Sequence, residues 1–334
     1  MRRYMAAMAA MGLVVLGGMW ANVWVGSVGL TPGEVLRALL AGPGQAYSQV
    51  ILWQIRLPRA LGAALGGGLL GMSGLMLQVF FRNPIVGPFV LGISAGATLM
   101  VGVVMLTSIG LGLGALSPYL GSIAAFAGAC GAMAVVVGVA SRVERAVVLL
   151  IVGLMISYLA SAVTNLLVAL AEAERIKGFT LWTMGSFAGQ RWEELGVMAG
   201  VGLVAGGGAM GMAKGLNAYL LGENYARTLG INAGAFRLGV VVIACAMAAA
   251  VTAAAGPVAF VGLAAPHMAR LWLRTADNRL LVPATALTGA GITEICDLLA
   301  RNLLSPVETP LSVVTSLFGA PVVIWLVLAR SRQV

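Results

Sequence analysis

Residues 214–237 read KGLNAYLLGENYARTLGINAGAFR and form a polar, helix-competent segment between two long apolar stretches. Its charged residues are Lys214, Glu223, Arg227 and Arg237. A segment of this polarity lies outside a bilayer, whereas the stretches on either side are apolar enough to cross one. A partner that pressed on the segment would therefore move the two spans attached to it. This pattern predicts a polytopic membrane protein, and transport is the first function to test.

The composition of the whole chain indicates the same class. Hydrophobic residues make up 60% and charged residues 9% of the 334 positions, whereas roughly a quarter of a soluble domain is charged. A membrane-spanning helix needs about 20 apolar residues, because its backbone groups can hydrogen-bond only within the segment. The charge-free windows that can supply such helices are 4–33, 60–81, 83–141, 146–171, 195–213, 238–269, 280–293 and 309–329.

Two of these windows, 83–141 and 238–269, are long enough for two spans each. A glycine-rich turn at 110–114 divides the first, and Gly256-Pro257 divides the second. The chain is therefore predicted to be an all-α polytopic membrane protein with about ten transmembrane helices in a single domain over residues 1–334.

The basic residues indicate the orientation, because short cytoplasmic loops collect Lys and Arg. With the N-terminus inside, the inner tails and loops hold most of the 20 Lys and Arg residues, and the outer side is nearly neutral. Both termini and residues 214–237 are thus predicted to be cytoplasmic, with 214–237 between spans 6 and 7. The formal net charge of +9 then reflects topology. No basic patch with interleaved aromatic residues indicates nucleic-acid binding.

Two other classes of function have a sequence feature to weigh. Residues 92–96, GISAG, match the nucleophile pattern of hydrolases around Ser94, but the only histidine is His267 and no strand–turn–helix context is indicated. An ion-coupled secondary carrier places ionisable groups at membrane depth. Glu294 and Asp297, near the outer end of the ninth span, are the candidates, and this carrier remains the alternative function.

The chain offers no ligand set for a metal and no nucleotide site of its own. One histidine and the scattered Cys130, Cys245 and Cys296 lack metal-ligand spacing. A P-loop needs a lysine after a glycine-rich turn, and neither Lys177 nor Lys214 has that context. We therefore expect no cofactor on this chain, and any ATP-driven function requires a separate subunit on the inner face.

Several short motifs follow one another along nearly the whole chain. They are RLPR at 56–59, SG at 73–74 with Gln78, RNP at 82–84 with Pro88 and Leu91-Gly92, WTMGS at 182–186, LGE at 221–223 with Ala226 and Leu229-Gly230, FVGL at 260–263 with Pro266-His267 and Arg270, then Asp297, Arg301, Glu308, Pro310 and GAP at 319–321. Together they resemble the membrane subunit of bacterial ABC importers for iron siderophores, haem and vitamin B12 (cobalamin).

This resemblance implies a homodimer of ten-helix permease subunits in the bacterial cytoplasmic (inner) membrane, with the translocation pathway at the two-fold axis. It further implies two copies of an ABC ATPase on the cytoplasmic face, which would bind ATP and Mg, and a periplasmic or lipid-anchored substrate-binding protein outside. Transport would proceed by alternating access. The cargo would be a ferric siderophore, with haem or cobalamin as the next candidates.

The resemblance also assigns roles to residues. Contacts that couple the permease to the ATPase would come from Leu220, Leu221, Gly222, Glu223, Ala226, Arg227, Leu229 and Gly230. The binding protein would dock on Arg56, Arg59 and Arg301. A structured turn on the inner face would be formed by Arg82, Asn83 and Pro84, and His267 would lie near Arg270 and contact the ATPase.

Simpler interpretations compete with these roles. The coupling residues could form a solvated loop, and the arginines could anchor helix ends at the membrane interface. The chain also departs from the family pattern at Ser312, Ser316 and Asn278. The asparagine puts in doubt any pH-sensing role of the inner loop.

Overall fold

The computed structural model describes residues 2–26, 28–107, 117–143, 146–304 and 307–331. Within these ranges the protein consists of helices joined by short turns, and no strand occurs. The helices are α1 (Arg2–Trp24), α2 (Pro32–Ala41), α3 (Tyr47–Val50), α4 (Leu57–Phe80), α5 (Ile93–Leu106), α6 (Ser117–Ala140), α7 (Ala146–Leu170), α8 (Ala173–Thr183), α9 (Trp192–Gly211), α10 (Ala213–Leu220), α11 (Glu223–Thr228), α12 (Ala233–Ala255), α13 (Val261–Leu273), α14 (Asn278–Asn302) and α15 (Leu311–Ser331).

Two shorter helices complete the order: a π-helix, Ile51–Arg56, joins α3 to α4, and a 3-10 helix, Pro88–Leu91, precedes α5. In the described part of the chain, 6 helical segments are long and apolar enough to cross a membrane. They are Arg3–Trp24, Tyr47–Phe80, Tyr119–Ala140, Ala146–Leu170, Trp192–Gly211 and Ala233–Ala255. The predicted class, an all-helical multi-pass membrane protein, is confirmed, and the count of ten spans stays a prediction.

The two long charge-free windows are each divided between helices. In the first, α5 ends at Leu106 and α6 begins at Ser117; the predicted turn at 110–114 lies outside the described residues. In the second, α12 ends before Gly256, whose φ of 71° is in the left-handed region that favours glycine. A Cβ atom there would lie 2.6 Å from the Trp182 carbonyl oxygen. The chain therefore turns at Gly256 as predicted.

Small residues let the central helices approach closely, as is typical of membrane bundles. Where α4 crosses α14, a Cβ atom on Gly67 would collide with the carbonyl oxygen of Gly289, and one on Gly289 with that of Gly67. The same reciprocal contact joins Gly96 of α5 to Gly128 of α6. These contacts place α4 and α14 backbone to backbone in the middle of the bundle.

Helix α14 connects the two ends of the bundle. It has 25 residues and is therefore about 37 Å long at 1.5 Å per residue. It packs against α1, α4, α13 and α15 along this length. Its first residues lie beside α10, and its last turns lie beside Arg59 at the start of α4. We call these the α11 end and the Arg59 end of the bundle.

Candidate functional site

At the α11 end, residues 214–237 form two short helices with a bend between them. Helix α10 ends at Leu220, and the bend falls at Gly222, where φ is 122°. Helix α11 ends in a Schellman motif: Gly230, with φ of 83°, donates to the Arg227 carbonyl at 3.0 Å, and Ile231 donates to the Ala226 carbonyl at 3.1 Å. Glycine at both positions thus sets the shape of this segment.

One side of the segment is anchored to the bundle. The Tyr219 ring stacks on Phe236 of α12 with 4.5 Å between centroids, and it lies 6.0 Å from the ring of Phe80 at the end of α4. Leu216 and Ala226 are fully buried beside them. The segment is therefore packed on α4 and α12 and is not a loosely solvated loop.

The opposite side of the segment exposes large apolar side chains. The exposed fractions are 40% for Leu220, 68% for Leu221, 46% for Tyr225 and 59% for Leu229. We call these four residues the α11 apolar face. An exposed apolar patch rimmed by charged residues is typical of protein–protein or membrane interaction sites. Three of the four are predicted from the sequence; Tyr225 is missed, although Tyr225 and Leu229 are four residues apart on α11 and its C-cap.

Three charged residues of the segment form ion pairs with one another. Arg227 donates to the Glu223 carboxylate at 2.8 Å, and the guanidinium of Arg237 lies 3.7 Å from the same carboxylate. Arg237 is buried and also donates to the Val143 carbonyl. Glu223 therefore ties α11 to the start of α12, and the predicted contact of Glu223 and Arg227 with an ATPase stays a prediction.

An amide cluster joins the segment to α14. The Asn217 side chain of α10 donates to the Asp277 carboxylate at 2.6 Å, and its oxygen accepts from the backbone and side-chain nitrogens of Asn278, both at 2.8 Å. Asp277 also accepts from the Arg279 backbone at 3.0 Å and so caps α14. These bonds, the one from Asn217 first, hold the pKa of the Asp277 carboxyl below its usual value. Asn278, a departure from the family pattern, is thus a buried partner of Asn217.

The predicted turn at 82–84 is hydrogen-bonded at this same end. Arg82 adopts a left-handed conformation with φ of 49°, and the Asn83 side chain accepts from the Ile85 backbone at 3.0 Å. The His267 ring of α13 lies 2.9 Å from the Pro84 carbonyl oxygen. The turn is therefore held against α13, and the imidazole contacts the protein's own backbone.

The Arg59 end differs from the α11 end because most of its charged side chains are buried. The Arg59 guanidinium donates to both oxygens of Asp297 at 3.0 to 3.1 Å and to Glu308 at 3.0 Å. Arg59 and Asp297 are buried, whereas the Glu308 side chain is 44% exposed. A fork of this kind is among the strongest hydrogen-bonding arrangements in proteins.

Arg301 extends the network to α1. Its guanidinium donates to the Asn22 backbone carbonyl at 3.0 Å and to the Asn22 side-chain oxygen, and it lies 3.5 Å from Asp297. The Asn22 amide in turn donates to the Glu294 carbonyl at 2.9 Å and to its carboxylate. Sequence reasoning misses Asn22, although an asparagine in an otherwise apolar helix is the signal for it.

The third predicted docking arginine, Arg56, caps the C-terminal end of α1. Arg56 donates to the carbonyl of Val23 at 2.9 Å and to that of Trp24 at 2.7 Å. These carbonyls belong to the last turn of α1 and lack partners within the helix. All three docking arginines are thus buried and partnered inside this chain rather than extended into an interface. Their contact with a binding protein stays a prediction.

The structure does not assemble a hydrolase site around Ser94, and it buries both carrier candidates, Glu294 and Asp297, at the Arg59 end. Ser94 lies in the first turn of α5, which follows a 3-10 helix and not a strand, and His267 is engaged at Pro84. Asp297 is neutralised by two guanidinium groups. Among the described residues, no group of three or more His, Cys, Asp or Glu side chains could hold a metal ion.

Comparison with known proteins decides the family. The profile of the FecCD transport family matches residues 13–329. The chain belongs to the FecCD transport family. The resemblance inferred from the sequence motifs is confirmed, and members of this family are membrane permease subunits of ABC importers rather than enzymes.

Its relatives match along most of their length. The chain is 34% identical to the hemin transport system permease protein HmuU of Yersinia pestis over 285 residues, 84% of each chain. It is 34% identical to the vitamin B12 import system permease protein BtuC of Klebsiella pneumoniae over 331 residues, 99% of this chain and 95% of that protein. A solved structure of a metal-chelate type ABC transporter in an inward-facing conformation superposes with a TM-score of 0.82 at 28% identity, over 97% of this chain and 99% of the other.

Proposed function

We propose that this FecCD protein is the permease of an importer that moves an iron chelate from periplasm to cytoplasm by alternating access, driven by a separate ATPase. Two copies form a homodimer in the bacterial inner membrane, with the pathway at the two-fold axis and both termini in the cytoplasm. In each copy ten helices span the bilayer: α1, α4, α5, α6, α7, α9, α12, α13, α14 and α15.

The observation that carries this proposal is the α11 apolar face. A cytoplasmic segment that exposes three leucines and a tyrosine is incomplete without a partner, because burying a large apolar side chain contributes about 1.5–3 kcal/mol. The partner is the ABC ATPase, one copy per permease, which holds ATP and Mg. Leu220, Leu221 and Leu229 contact it directly, together with Tyr225, while the two glycines shape the segment.

The amide cluster supplies a route for the motion. Asn217 ties α10 to Asp277 and Asn278 at the start of α14, and α14 continues to the network of Asp297 and Arg301 at the other end. A displacement of α10 and α11 by a closing ATPase therefore shifts the start of α14, and Pro283 is the point at which the helix can bend. Its close packing on α4 passes the displacement to the centre of the bundle.

The binding protein docks at the Arg59 end. Family resemblance supports contacts of Arg56, Arg59 and Arg301 with acidic residues of that protein. The exposed Glu308 carboxylate, which already pairs with Arg59, marks where the network reaches the surface. An acidic group of the binding protein would exchange with Glu308 for the Arg59 guanidinium, so docking would loosen the segment that leads into α15.

The cargo is a metal chelate. We place a ferric siderophore first and haem and cobalamin next; the named relatives carry hemin and vitamin B12, and the superposed structure is of the metal-chelate type. Competition among these three chelates for uptake by the complete transporter would rank them directly.

Reconstitution in liposomes tests the function. The permease with its ATPase and binding protein should take up chelate only when ATP is supplied, and the permease alone should take up none. Uptake by the permease alone under a pH gradient would contradict the proposal and favour the ion-coupled carrier. In that case Glu294→Gln should abolish uptake without lowering ATPase binding.

A further inference from the structure

Two cavities open on the flank of the bundle formed by α6, α9 and α12. The first has a volume of about 410 Å³ and is mainly apolar, with Ile123, Phe126 and Val197 in its lining. The second, of about 570 Å³, lies toward α5 and α8 and has Trp182, Ser186 and Arg191 in its lining. Both volumes are in the range of small-molecule sites, about 300–1,000 Å³.

The two cavities are adjacent, because Ser122, Glu194 and Ala254 line both of them. We call the pair the α6–α9 cleft, with an apolar and a polar chamber. A cleft divided in this way fits a molecule that is apolar at one end and polar at the other.

The junction of the chambers is charged. The Ser122 hydroxyl donates to the Glu194 carboxylate at 2.7 Å, and the Arg191 backbone donates to it at 3.3 Å. Glu193 lies exposed at the rim of the apolar chamber. The Arg191 guanidinium lies over the Tyr119 ring, 4.7 Å from its centroid. Two carboxylates and one guanidinium therefore surround the opening, so acidic groups outnumber basic ones there.

Neighbouring tryptophans place this opening at the membrane surface. The Trp192 indole at the start of α9 donates to the Trp53 carbonyl at 2.8 Å, and the two rings lie 6.5 Å apart. Tryptophan concentrates at the level of lipid headgroups. Val197 is more than one helical turn further along α9, so the apolar chamber lies at the depth of acyl chains.

We propose that the α6–α9 cleft binds one phospholipid with an amine headgroup, phosphatidylethanolamine. An acyl chain occupies the apolar chamber, the ammonium group contacts Glu193 and Glu194, and the phosphate lies near Arg191. The sign of the charge selects this lipid. Two carboxylates repel an anionic lipid such as phosphatidylglycerol, whereas a zwitterionic headgroup satisfies both signs at once.

Native mass spectrometry of the purified full-length permease, delipidated and titrated with each lipid, tests the proposal. The protein should retain phosphatidylethanolamine in preference to phosphatidylglycerol. Glu193→Gln should weaken that retention about tenfold, as expected for one lost charge-assisted contact. Glu174→Gln, an equal charge change on α8 outside the cleft lining, should leave it unchanged.

A second variant tests the apolar chamber. Ala253→Phe fills the apolar chamber and should abolish retention of the lipid. Glu193 is exposed, so Glu193→Gln tests the headgroup contact without changing the packing of the protein. Equal retention of the two lipids by the wild type would overturn the proposal. The proposal would also be overturned if neither variant reduced the retention of phosphatidylethanolamine. The same holds if Ala253→Phe reduced it and Glu193→Gln did not.

Discussion

The two ends of α14 differ in what they bury. At the Arg59 end, charged side chains of α4 and α14 and the Asn22 amide of α1 are buried and paired within the chain. At the α11 end, Glu223 and Arg227 are partly exposed and four large apolar side chains are exposed. A buried charge network without its partners is costly, and an exposed apolar face without a partner is incomplete. The first region is therefore held mainly by contacts within the subunit, and the second leaves an apolar surface for association.

The largest expected effect comes from breaking the buried network. Asp297→Asn leaves Arg59 and Arg301 without the carboxylate between them, and removing one member of a buried ion pair costs about 3–5 kcal/mol. The midpoint of thermal unfolding in detergent should fall strongly. Glu308→Gln, which changes the half-exposed partner of the same arginine, should cost at most about 1 kcal/mol. If Asp297→Asn and Glu308→Gln lowered the unfolding midpoint equally, the buried network would not be what stabilises the Arg59 end.

The next effect concerns association. Tyr225→Ala and Leu221→Ser each remove an exposed apolar side chain, and a central interface residue contributes about 2 kcal/mol, or roughly 30-fold in affinity. ATPase binding to the purified permease should weaken by that factor while the unfolding midpoint stays unchanged. Leu203→Ser, an exposed leucine on α9, is the matched control. If Tyr225→Ala and Leu221→Ser lowered the unfolding midpoint and left the affinity for the ATPase unchanged, the α11 apolar face would serve stability and not association.

The amide cluster connects the two ends and should show a smaller effect of a different kind. Asn217→Ala removes the partners of Asp277 and Asn278, at a cost of about 1–2 kcal/mol. We expect the ATPase still to bind and to hydrolyse ATP, while the amount of chelate moved for each ATP falls. The ratio of uptake to hydrolysis in proteoliposomes measures this. An unchanged ratio would exclude α10 and α14 as the mechanical link.

The smallest effect is a dependence on pH. The pKa of Asp277 is lowered in the folded protein, so its contribution to stability is present above the ordinary value of 3.8 and is lost as the pH falls through the lower folded value. Unfolding midpoints measured from pH 5 down to pH 3 should fall less steeply in Asn217→Ala, because the bond that lowers the pKa is already absent. If the unfolding midpoints of the wild type and of Asn217→Ala fell equally with pH, Asn217 would not be the cause of the lowered pKa of Asp277.

Much of the α11 end can be predicted from the sequence. The polar segment, its bend and its end follow from local features, since Gly222 and Gly230 mark the two positions with positive φ. Tyr225 and Leu229 also have a local signal in their four-residue spacing. Only the anchoring of Tyr219 on Phe236 requires the fold.

The Arg59 end is different, because its pairs join residues far apart in the chain. Arg59 and Asp297 are separated by 238 positions and Asn22 and Arg301 by 279. The sequence shows that these residues are polar and lie near the ends of apolar windows. It does not show which acid neutralises which arginine, because the crossing of α4, α14 and α1 decides that. The same arginines are predicted to dock a binding protein, and the structure shows their partners within this chain.

Amide hydrogen exchange of the permease, alone and with its ATPase bound, tests the central claim most directly. Residues 220–230 should become protected when the ATPase binds, because the α11 apolar face is then covered. Residues 56–59 and 297–301 should exchange slowly in both states, because they lie in buried helical turns whose charged side chains pair within the chain. Unchanged exchange over 220–230 on ATPase binding, or new protection confined to the Arg59 end, would contradict the account.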